Sequence, residues 1–224
     1  MIMASEARSE ELALIDYGAG NLGSVGNALH TLGVPFRVVS NPSQLGQAGG
    51  ILLPGVGAFA TAMERLNAMN LVGPLTDAVV RDKTPFLGIC LGMQLLAEDS
   101  SEQGMHKGLG WIKGRVRQIP SAPGIRVPHV GWNATQIRQA DMFVNISDGA
   151  HFYYDHGFAM ECEPDLVAAE CAYGCRITGA VQSGHIWGTQ FHPEKSQRNG
   201  LVLLRNFSDF VLKRARALGR ALHA

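Results

Sequence analysis

Three side chains of this sequence have the types needed for nucleophilic catalysis by a thiol. Cys90 stands at the centre of a Gly-x-Cys-x-Gly motif, and His192 and Glu194 follow in a second segment, residues 190–196. A catalytic thiol needs a base that takes its proton, and the base needs an acceptor that orients it. The sequence therefore predicts acyl transfer through a thioester, with Cys90 as nucleophile, His192 as base and Glu194 as the orienting carboxylate.

The residues around Cys90 predict a sharp turn between a strand and a helix. The apolar run 85–87 favours a buried strand, and residues 93–97 favour the first turns of a helix. A nucleophile on such a turn has a strained backbone, and Gly88 and Gly92 remove the side chains that would clash there. The motif alone also fits a small buried structural cysteine, so the assignment depends on the second segment.

His192 and Glu194 are expected to lie together at the end of a strand. Residues two apart in an extended chain project to the same side, and Pro193 cannot donate to a sheet ladder, so the strand should end there. Open α/β sheets place their sites at the carboxyl ends of strands. We therefore expect this segment to meet Cys90.

The oxyanion that forms during acyl transfer needs hydrogen-bond donors. The N–H of Leu91, which directly follows the nucleophile, is one by geometry. The stretch Pro54-Gly55-Val56-Gly57 ends the strand expected beside that of Cys90. Val56 and Gly57 are therefore candidates for the remaining donors, and a simple turn is the alternative.

The elements that position these residues alternate between strands and helices in the first half of the chain. Short buried strands are predicted at 12–15, 36–39 and 50–53, with helical spacing between them, which is typical of a parallel sheet with helices on both faces. From residue 109 the pattern changes to strands with few helices, at 113–119, 125–130, 151–160, 166–171, 177–182 and 186–191, before a final helix at 200–218. We predict a three-layer α/β fold with an open, mostly parallel sheet and an antiparallel extension, formed by one domain over 11–224 behind a disordered tail, 1–10.

The composition favours neither nucleic acid nor an anionic membrane as a partner. The formal net charge is zero and charged residues make up 17% of the chain, an ordinary globular balance. The four cysteines lack zinc-site spacing, and the amino end lacks the apolar region of a signal peptide. No apolar run reaches the ~18 residues of a membrane span. We expect a reduced, cytoplasmic protein that uses no metal and no cofactor.

A glycine-rich loop follows the first predicted strand and leaves two interpretations open. Gly18, Gly20 and Gly23 match G-x-G-x-x-G before a helix, as in dinucleotide sites. The acidic residue expected about 20 positions later is missing, since 37–41 reads Arg-Val-Val-Ser-Asn. A tight strand-to-helix turn is the favoured alternative.

Five segments together resemble the class I (triad) glutamine amidotransferases and, among them, the family of glutaminase subunits of imidazole glycerol phosphate synthase. One of the five, 190–196, contains both His-Pro-Glu and Lys-Ser. The Cys90 motif and His-Pro-Glu carry the resemblance to the class. The remaining stretches, which point to the subunit family, are Tyr-Gly-Ala-Gly-Asn-Leu at 17–22, Pro-Gly-Val-Gly-Ala-Phe at 54–59, Pro-His-Val-Gly-Trp-Asn at 128–133, and Lys-Ser at 195–196. The resemblance spans residues 12 to about 210.

The resemblance implies a function and a partner. The chain would hydrolyse L-glutamine to glutamate and ammonia and pass the ammonia to a separate (β/α)8-barrel cyclase subunit, forming a heterodimer. That cyclase would make imidazole glycerol phosphate and the purine precursor AICAR in histidine biosynthesis. An enclosed path is physically reasonable, because ammonia that escapes into water is protonated and loses its nucleophilicity.

The resemblance also implies roles for individual residues. Gln94 and Gly55 would bind substrate, as would the backbone at Gly157 and Phe158. Residues near the cyclase would be Asn21, Trp132, Asn133, Tyr153 and Lys195, with Tyr153 near the ammonia exit. From sequence alone, Gln94 also fits an exposed helix residue and Trp132 a core residue. His156 is interpreted as a hydrogen-bonded core histidine.

One segment departs from the family pattern. The family usually has an apolar residue, then His, Ser or Thr, and Tyr, where this chain has Asp155-His156-Gly157-Phe158. The competing functional interpretations are another class I amidotransferase or small-amide hydrolase, and a catalytically silent scaffold that docks on the barrel. The intact Cys90, His192 and Glu194 argue against the scaffold.

Overall fold

The computed structural model describes residues 10–121, 124–138 and 141–221, so the predicted tail lies outside the described residues except for its last one, Glu10. A nine-stranded sheet forms the centre of the fold. Its strands are β1 (Leu12–Ile15), β2 (Phe36–Val39), β3 (Gly50–Gly55), β4 (Phe86–Cys90), β8 (His129–Ile137), β9 (Ala150–His156), β11 (Val167–Ala172), β12 (Arg176–Ser183) and β13 (Ile186–Thr189). The helices are α1 (Leu22–Thr31), α2 (Phe59–Ala68), α3 (Val72–Thr76), α4 (Leu91–Gln94) and α5 (Gln197–Ala221).

The sheet has a parallel half and an antiparallel half, as predicted. Its strand order is β2-β1-β3-β4-β13-β12-β11-β8-β9. The pairs from β2 to β13 are parallel, and those from β13 to β9 are antiparallel. Strand β4, which ends at Cys90, lies between β3 and β13 in the interior of the sheet. The segment after β13 therefore emerges beside the nucleophile.

Helices cover both faces of the parallel half because its strands are apolar on both faces. In β1, Ala13 and Ile15 pack in one core cluster with residues of α2, while Leu12 and Leu14 pack in a second cluster with residues of α1 and α5. Strands buried on both faces appear in the sequence as continuous apolar runs. This is why β1, β3 and β4 could be located from sequence.

A second, smaller sheet corrects the prediction of one strand over 151–160. That sheet has the order β10-β7-β5-β6, from β5 (Asp99–Ser100), β6 (His106–Lys107), β7 (Gly114–Gln118) and β10 (Phe158–Cys162). The chain leaves the large sheet after β9 and enters the small one at β10. Gly157 stands between them, and its carbonyl accepts a hydrogen bond from the N–H of Ile119 at 3.0 Å. Pairing with different strands divides the apolar run in two.

Two further strand predictions were wrong in their bounds. The segment predicted at 125–130 enters its strand only at His129 and continues to Ile137, because β8 pairs with β9 along seven residues, His129 to Thr135. The strand predicted at 186–191 ends at Thr189. Residues 190 and 191 are buried and lead into the segment that carries His192, and the N–H of Gln190 still donates to the carbonyl of Gly179 in β12 at 2.9 Å.

The helix after Cys90 is shorter than predicted over 93–97. It spans Leu91–Gln94, after which the N–H groups of Leu96 and Ala97 bond back three residues. The carbonyls of Leu95, Leu96 and Ala97 then accept bonds from the 109–112 loop, which closes over this turn. Those loop bonds replace the next helical turn.

The final helix is longer than predicted and begins at Gln197 instead of residue 200. Among the helices that the structure describes, none has both the length and the apolar character needed to cross a bilayer.

Candidate active site

Cys90 occupies the strained turn that the sequence predicted. It is the last residue of β4, its backbone has φ 55° and ψ −109°, and its side chain is buried with 6% exposure. A Cβ on Gly88 would lie 2.5 Å from the carbonyl oxygen of Gly92, and one on Gly92 would lie 1.8 Å from that of Leu53. Both glycines are therefore required for β3, β4 and α4 to pack this closely.

His192 and Glu194 form the predicted pair, although not in an extended chain. The residues from Pro193 to Lys195 form a 3-10 turn, which corrects the predicted strand end. The turn brings Glu194 beside the ring of His192, where Nδ1 lies 2.8 Å from Oε1, and the side chains are 3% and 1% exposed. Since a carboxylate can only accept hydrogen bonds, Nδ1 of His192 carries a hydrogen, and Nε2 is available to exchange a proton with the thiol.

Hydrogen bonds to strand β9 hold the backbone of residues 192–196 in place. The N–H of His192 donates to the carbonyl of Tyr153 at 2.9 Å. The hydroxyl of Ser196 donates to the carbonyl of His192 at 2.6 Å and accepts from the N–H of Tyr153 at 3.0 Å. These bonds fix the backbone on both sides of the imidazole to one edge strand of the large sheet.

The charges around His192 favour its protonated form. Burial by itself lowers the pKa of the imidazole, but hydrogen bonds and charge interactions with Cys90 and Glu194 outweigh burial and raise that pKa to about 10. Cys90 is thus close enough to the imidazole to favour its charged form. The geometry can therefore hold a proton on His192 for delivery to a leaving group.

Gln190 is a site residue to which the sequence analysis gave no role. It is fully buried, and its Nε2 lies 3.8 Å from the Sγ of Cys90. Its Oε1 accepts a hydrogen bond from Nε2 of Gln94 at 3.1 Å. A polar residue at the end of an apolar strand, directly before the His-Pro-Glu motif, is the signal that could have identified it.

The candidate oxyanion donors lie beside the nucleophile. Gly55 is directly opposite Cys90 in the β3–β4 register, which confirms the predicted neighbouring strands. Val56 and Gly57 continue from there as exposed residues, and Gly57 has φ +96°. Leu91 is the first residue of α4. All are at the correct edge of the sheet, and their role as donors stays a prediction.

Two of the predicted substrate-binding residues, Gln94 and Phe158, are hydrogen-bonded to each other. Gln94 is buried instead of exposed, and its Nε2 donates to the carbonyl of Phe158 at 2.8 Å. Gly157 lies at the junction of β9 and β10, and the carbonyl oxygen of Asp155 lies 3.9 Å from the Sγ of Cys90. The segment that departs from the family pattern is thus beside the nucleophile. Contact with a substrate stays a prediction for each of these residues.

The predicted interface residues divide into exposed and internally bonded ones. Trp132 is 44% exposed, which excludes the core alternative, and its ring meets that of Tyr153 at a centroid distance of 6.1 Å. The Nζ of Lys195 lies 5.5 Å from the centroid of the same tyrosine ring. Asn21 instead caps α1 through the N–H of Ser24.

Two buried histidines form a directed hydrogen-bond chain behind the site, as predicted for His156. Nδ1 of His156 lies 2.8 Å from the Phe158 carbonyl, which only accepts, so that nitrogen carries the hydrogen. Nε2 of His156 must then accept a hydrogen bond from Nδ1 of His129 at 3.2 Å. Nε2 of His129 in turn accepts a hydrogen bond from the side-chain amide of Asn133 at 2.6 Å. Asn133 therefore belongs to this internal chain.

The histidine chain predicts acid sensitivity of the fold. Burial lowers the pKa of His129 to about 4. Burial also lowers the pKa of His156, to about 3, and the charges of His129 and His192 add smaller decreases. The unfolded chain binds more protons below pH 6.5, so the stability from these groups is present above that pH and is lost as pH falls. We expect each histidine to lower the free energy of unfolding by about 2 kcal/mol between pH 6.5 and 5.

Urea unfolding at several pH values measures this loss. His192 has a raised pKa and stays protonated in the folded chain. It adds little slope over this window, because the unfolded chain is also mostly protonated there. His129→Gln should remove about half of the pH dependence even if it lowers stability overall. A free energy of unfolding that is flat from pH 6.5 to 5 would show that the folded chain does not hold His129 and His156 neutral.

The glycine-rich loop is explained by packing. Gly18 has φ +78°, and a Cβ on Gly20 would lie 3.0 Å from the carbonyl oxygen of Pro54. The loop is thus a tight turn pressed against β3. Within the described ranges, no group of three or more His, Cys, Asp or Glu side chains is placed to share a metal ion.

Comparisons with known proteins agree with this geometry. The family model "Glutamine amidotransferase class-I" matches residues 13–209. A Campylobacter jejuni protein named "Imidazole glycerol phosphate synthase subunit HisH 1" is 43% identical over 88% of this chain and 98% of its own length. A Zymomonas mobilis protein with the HisH name of the same synthase is 45% identical over 90% of this chain and 97% of its own.

A solved structure shows the same fold. It is described as part of a putative GMP synthase from Thermoplasma acidophilum, with a TM-score of 0.72 and 20% identity, covering 93% of this chain and 97% of its own. At that identity the likeness concerns the fold alone.

Proposed function

The chain belongs to the class I glutamine amidotransferase family, and from this premise we propose that it hydrolyses L-glutamine and supplies ammonia to the cyclase of imidazole glycerol phosphate synthase. As a member of that family it is an enzyme. The observation that carries the proposal is the meeting of Cys90, His192 and Glu194 at the carboxyl edge of the sheet, on a turn built for a nucleophile.

The triad supports hydrolysis in two steps. The sulfur of Cys90 attacks the side-chain amide carbon of glutamine, and the protonated His192 gives its proton to the departing nitrogen, which leaves as ammonia. A water molecule, deprotonated by His192, then attacks the thioester and releases glutamate. Glu194 holds the Nδ1–H of the imidazole throughout, so that Nε2 faces the reacting atoms.

The oxyanion of each tetrahedral intermediate would lie beside the Gly55–Gly57 segment and the start of α4. We assign the N–H groups of Leu91, Val56 and Gly57 to it. Leu91 directly follows Cys90, and Val56 and Gly57 directly follow Gly55, which pairs with Cys90. Gln94 would bind the substrate directly and also hold the Phe158 carbonyl of the adjoining wall. Gly55, Gly157 and Phe158 would line the same pocket.

A partner is proposed because the relatives are named as subunits of a synthase. The partner would be a cyclase with a (β/α)8 barrel that uses the ammonia to form imidazole glycerol phosphate and AICAR in histidine biosynthesis. Trp132, Tyr153 and Lys195 form a half-exposed aromatic and cationic group that suits a docking surface. Asn21 and Asn133 would border it. A free catalytic thiol favours a reducing compartment such as the cytoplasm.

Glutamate release by the purified chain, with and without the cyclase and its ligand, tests both parts of the proposal. We expect release that depends strongly on the liganded cyclase, because catalytic contacts often tighten only in the complex. Equal release without the cyclase would keep the triad and reject the partner. No release in either case would favour the silent scaffold.

Lys195→Ala serves as the matched interface variant in the same assay. It should weaken stimulation by the cyclase more than it changes the KM for glutamine, since the side-chain Nζ of Lys195 lies near the Tyr153 ring and the substitution keeps the backbone beside Glu194. A normal stimulated rate would remove Lys195 from the interface.

A further inference from the structure

The hydroxyl of Tyr17 lies buried behind the nucleophile turn without a protein partner. The residue is 1% exposed, and its Oη has no hydrogen bond to any residue that the structure describes. Buried hydroxyls are nearly always hydrogen-bonded, so an exception calls for a physical explanation. The mechanism described above does not use this group.

The surroundings of the hydroxyl connect it to Cys90. Gly55 pairs with Cys90 across β3 and β4. A Cβ on Gly55 would lie 2.5 Å from the Oη of Tyr17, 2.9 Å from the Cβ of Leu91 and 3.0 Å from the nitrogen of Gly92. The hydroxyl therefore shares one small space with the two residues that follow the nucleophile.

Two charges orient this hydroxyl. The guanidinium of Arg65 donates to the carbonyl of Gly18, the residue next to Tyr17. Burial and the charge of Cys90 raise the pKa of Tyr17, while Arg65 lowers it, so the phenol keeps its proton. A cation repels the hydroxyl hydrogen and an anion attracts it. Since no described residue accepts a hydrogen bond from this O–H, its direction is set by the field of these two charges.

We propose that Tyr17 is a positioning residue for the chemistry of Cys90, and that its hydroxyl dipole, held against Gly55, stabilises negative charge at the nucleophile turn. The charge is first that of the Cys90 thiolate and then that of the oxyanion formed on the substrate. The second part rests on the proposed glutamine hydrolysis, whereas the first part does not.

Tyr17→Phe tests the proposal on the isolated chain. Alkylation by iodoacetamide at pH 7 reports the thiolate, since the thiolate is the nucleophile, and mass spectrometry of the Cys90 peptide separates it from the other three cysteines. We expect Cys90 to react about fivefold more slowly in the variant. The melting temperature should be unchanged or higher, because the removed hydroxyl had no protein partner.

Tyr154→Phe is the matched control. Tyr154 is also fully buried, but its hydroxyl is hydrogen-bonded to Oγ1 of Thr135 at 2.8 Å. Loss of the Tyr154 hydroxyl should lower the melting temperature and leave the rate of Cys90 alkylation unchanged. A tyrosine with a structural role thus gives the opposite pair of results.

Glutaminase assays complete the test. In Tyr17→Phe, kcat should fall by a similar factor with the KM for glutamine unchanged. Alkylation at the parent rate, or a variant that fails to fold, would overturn the proposal, because the first shows no effect on the thiolate and the second shows a structural partner. If the parent chain hydrolyses no glutamine even with the liganded cyclase, the proposed function fails and the alkylation rates still decide the role of Tyr17.

Discussion

Replacing Cys90 by Ser is expected to reduce glutamine hydrolysis by at least about a thousandfold. The hydroxyl has nearly the shape of the thiol, so the turn and its neighbours should keep their positions. Serine is a far weaker acid, and the charges that favour a proton on His192 include the thiolate itself. The variant therefore cannot form the acyl intermediate at a useful rate.

Ammonium salts separate this chemical defect from a structural one. A complex that contains Cys90→Ser should still make product when the cyclase is given ammonium, because only ammonia supply is lost. Cys162→Ser is the control, since that partly exposed thiol ends β10, and it should leave glutamine use unchanged. Hydrolysis within tenfold of the parent would show that Cys90 is not the nucleophile.

The grouping of His192 with Glu194 and the turn at Cys90 were accessible from sequence because their signal is local. The glycines around Cys90 and the spacing of His192 and Glu194 each describe a short segment whose geometry follows from residue type. The bond between His192 and Glu194 was anticipated although the backbone conformation was wrong. A 3-10 turn started by Pro193 and an extended chain can both bring residues two apart together.

Residues that act through distant contacts were not accessible in this way. Tyr17 and Gln190 reach the Cys90 turn from the loops that follow β1 and β13, and a hydrophobic pattern does not show which side chain meets which strand end. The division of 151–160 between two sheets has the same cause. Its residues alternate in a pattern that fits either ladder, and only the pairing partners place the break at Gly157.

Strand β8 was less well predicted because its residues are less buried on one face. Strand β8 alternates between more and less buried residues from His129 to Ile137. Its inward side chains include a histidine and a threonine, so the apolar signal is weak. Strands β1 and β3, buried on both faces, have no such ambiguity.

Substituting Gly92 by Ala is expected to disturb the fold strongly at the nucleophile turn. The added Cβ would lie 1.8 Å from the carbonyl oxygen of Leu53, a backbone atom fixed in β3. Either β3 or α4 must shift, which we expect to lower the free energy of unfolding by roughly 3 kcal/mol or more. Urea unfolding measures this loss.

The fraction of the Gly92→Ala protein that still folds should hydrolyse glutamine at least about a hundredfold more slowly than the parent, because a shift of about 1 Å misplaces Cys90 relative to His192. Gly23→Ala provides the contrast, since Gly23 lies in α1 with open space around its Cβ position. That change should raise stability by about 0.5–1 kcal/mol and leave hydrolysis unchanged. Equal stability of the two variants would mean that the close packing of Gly92 on β3 does not hold the nucleophile turn in place.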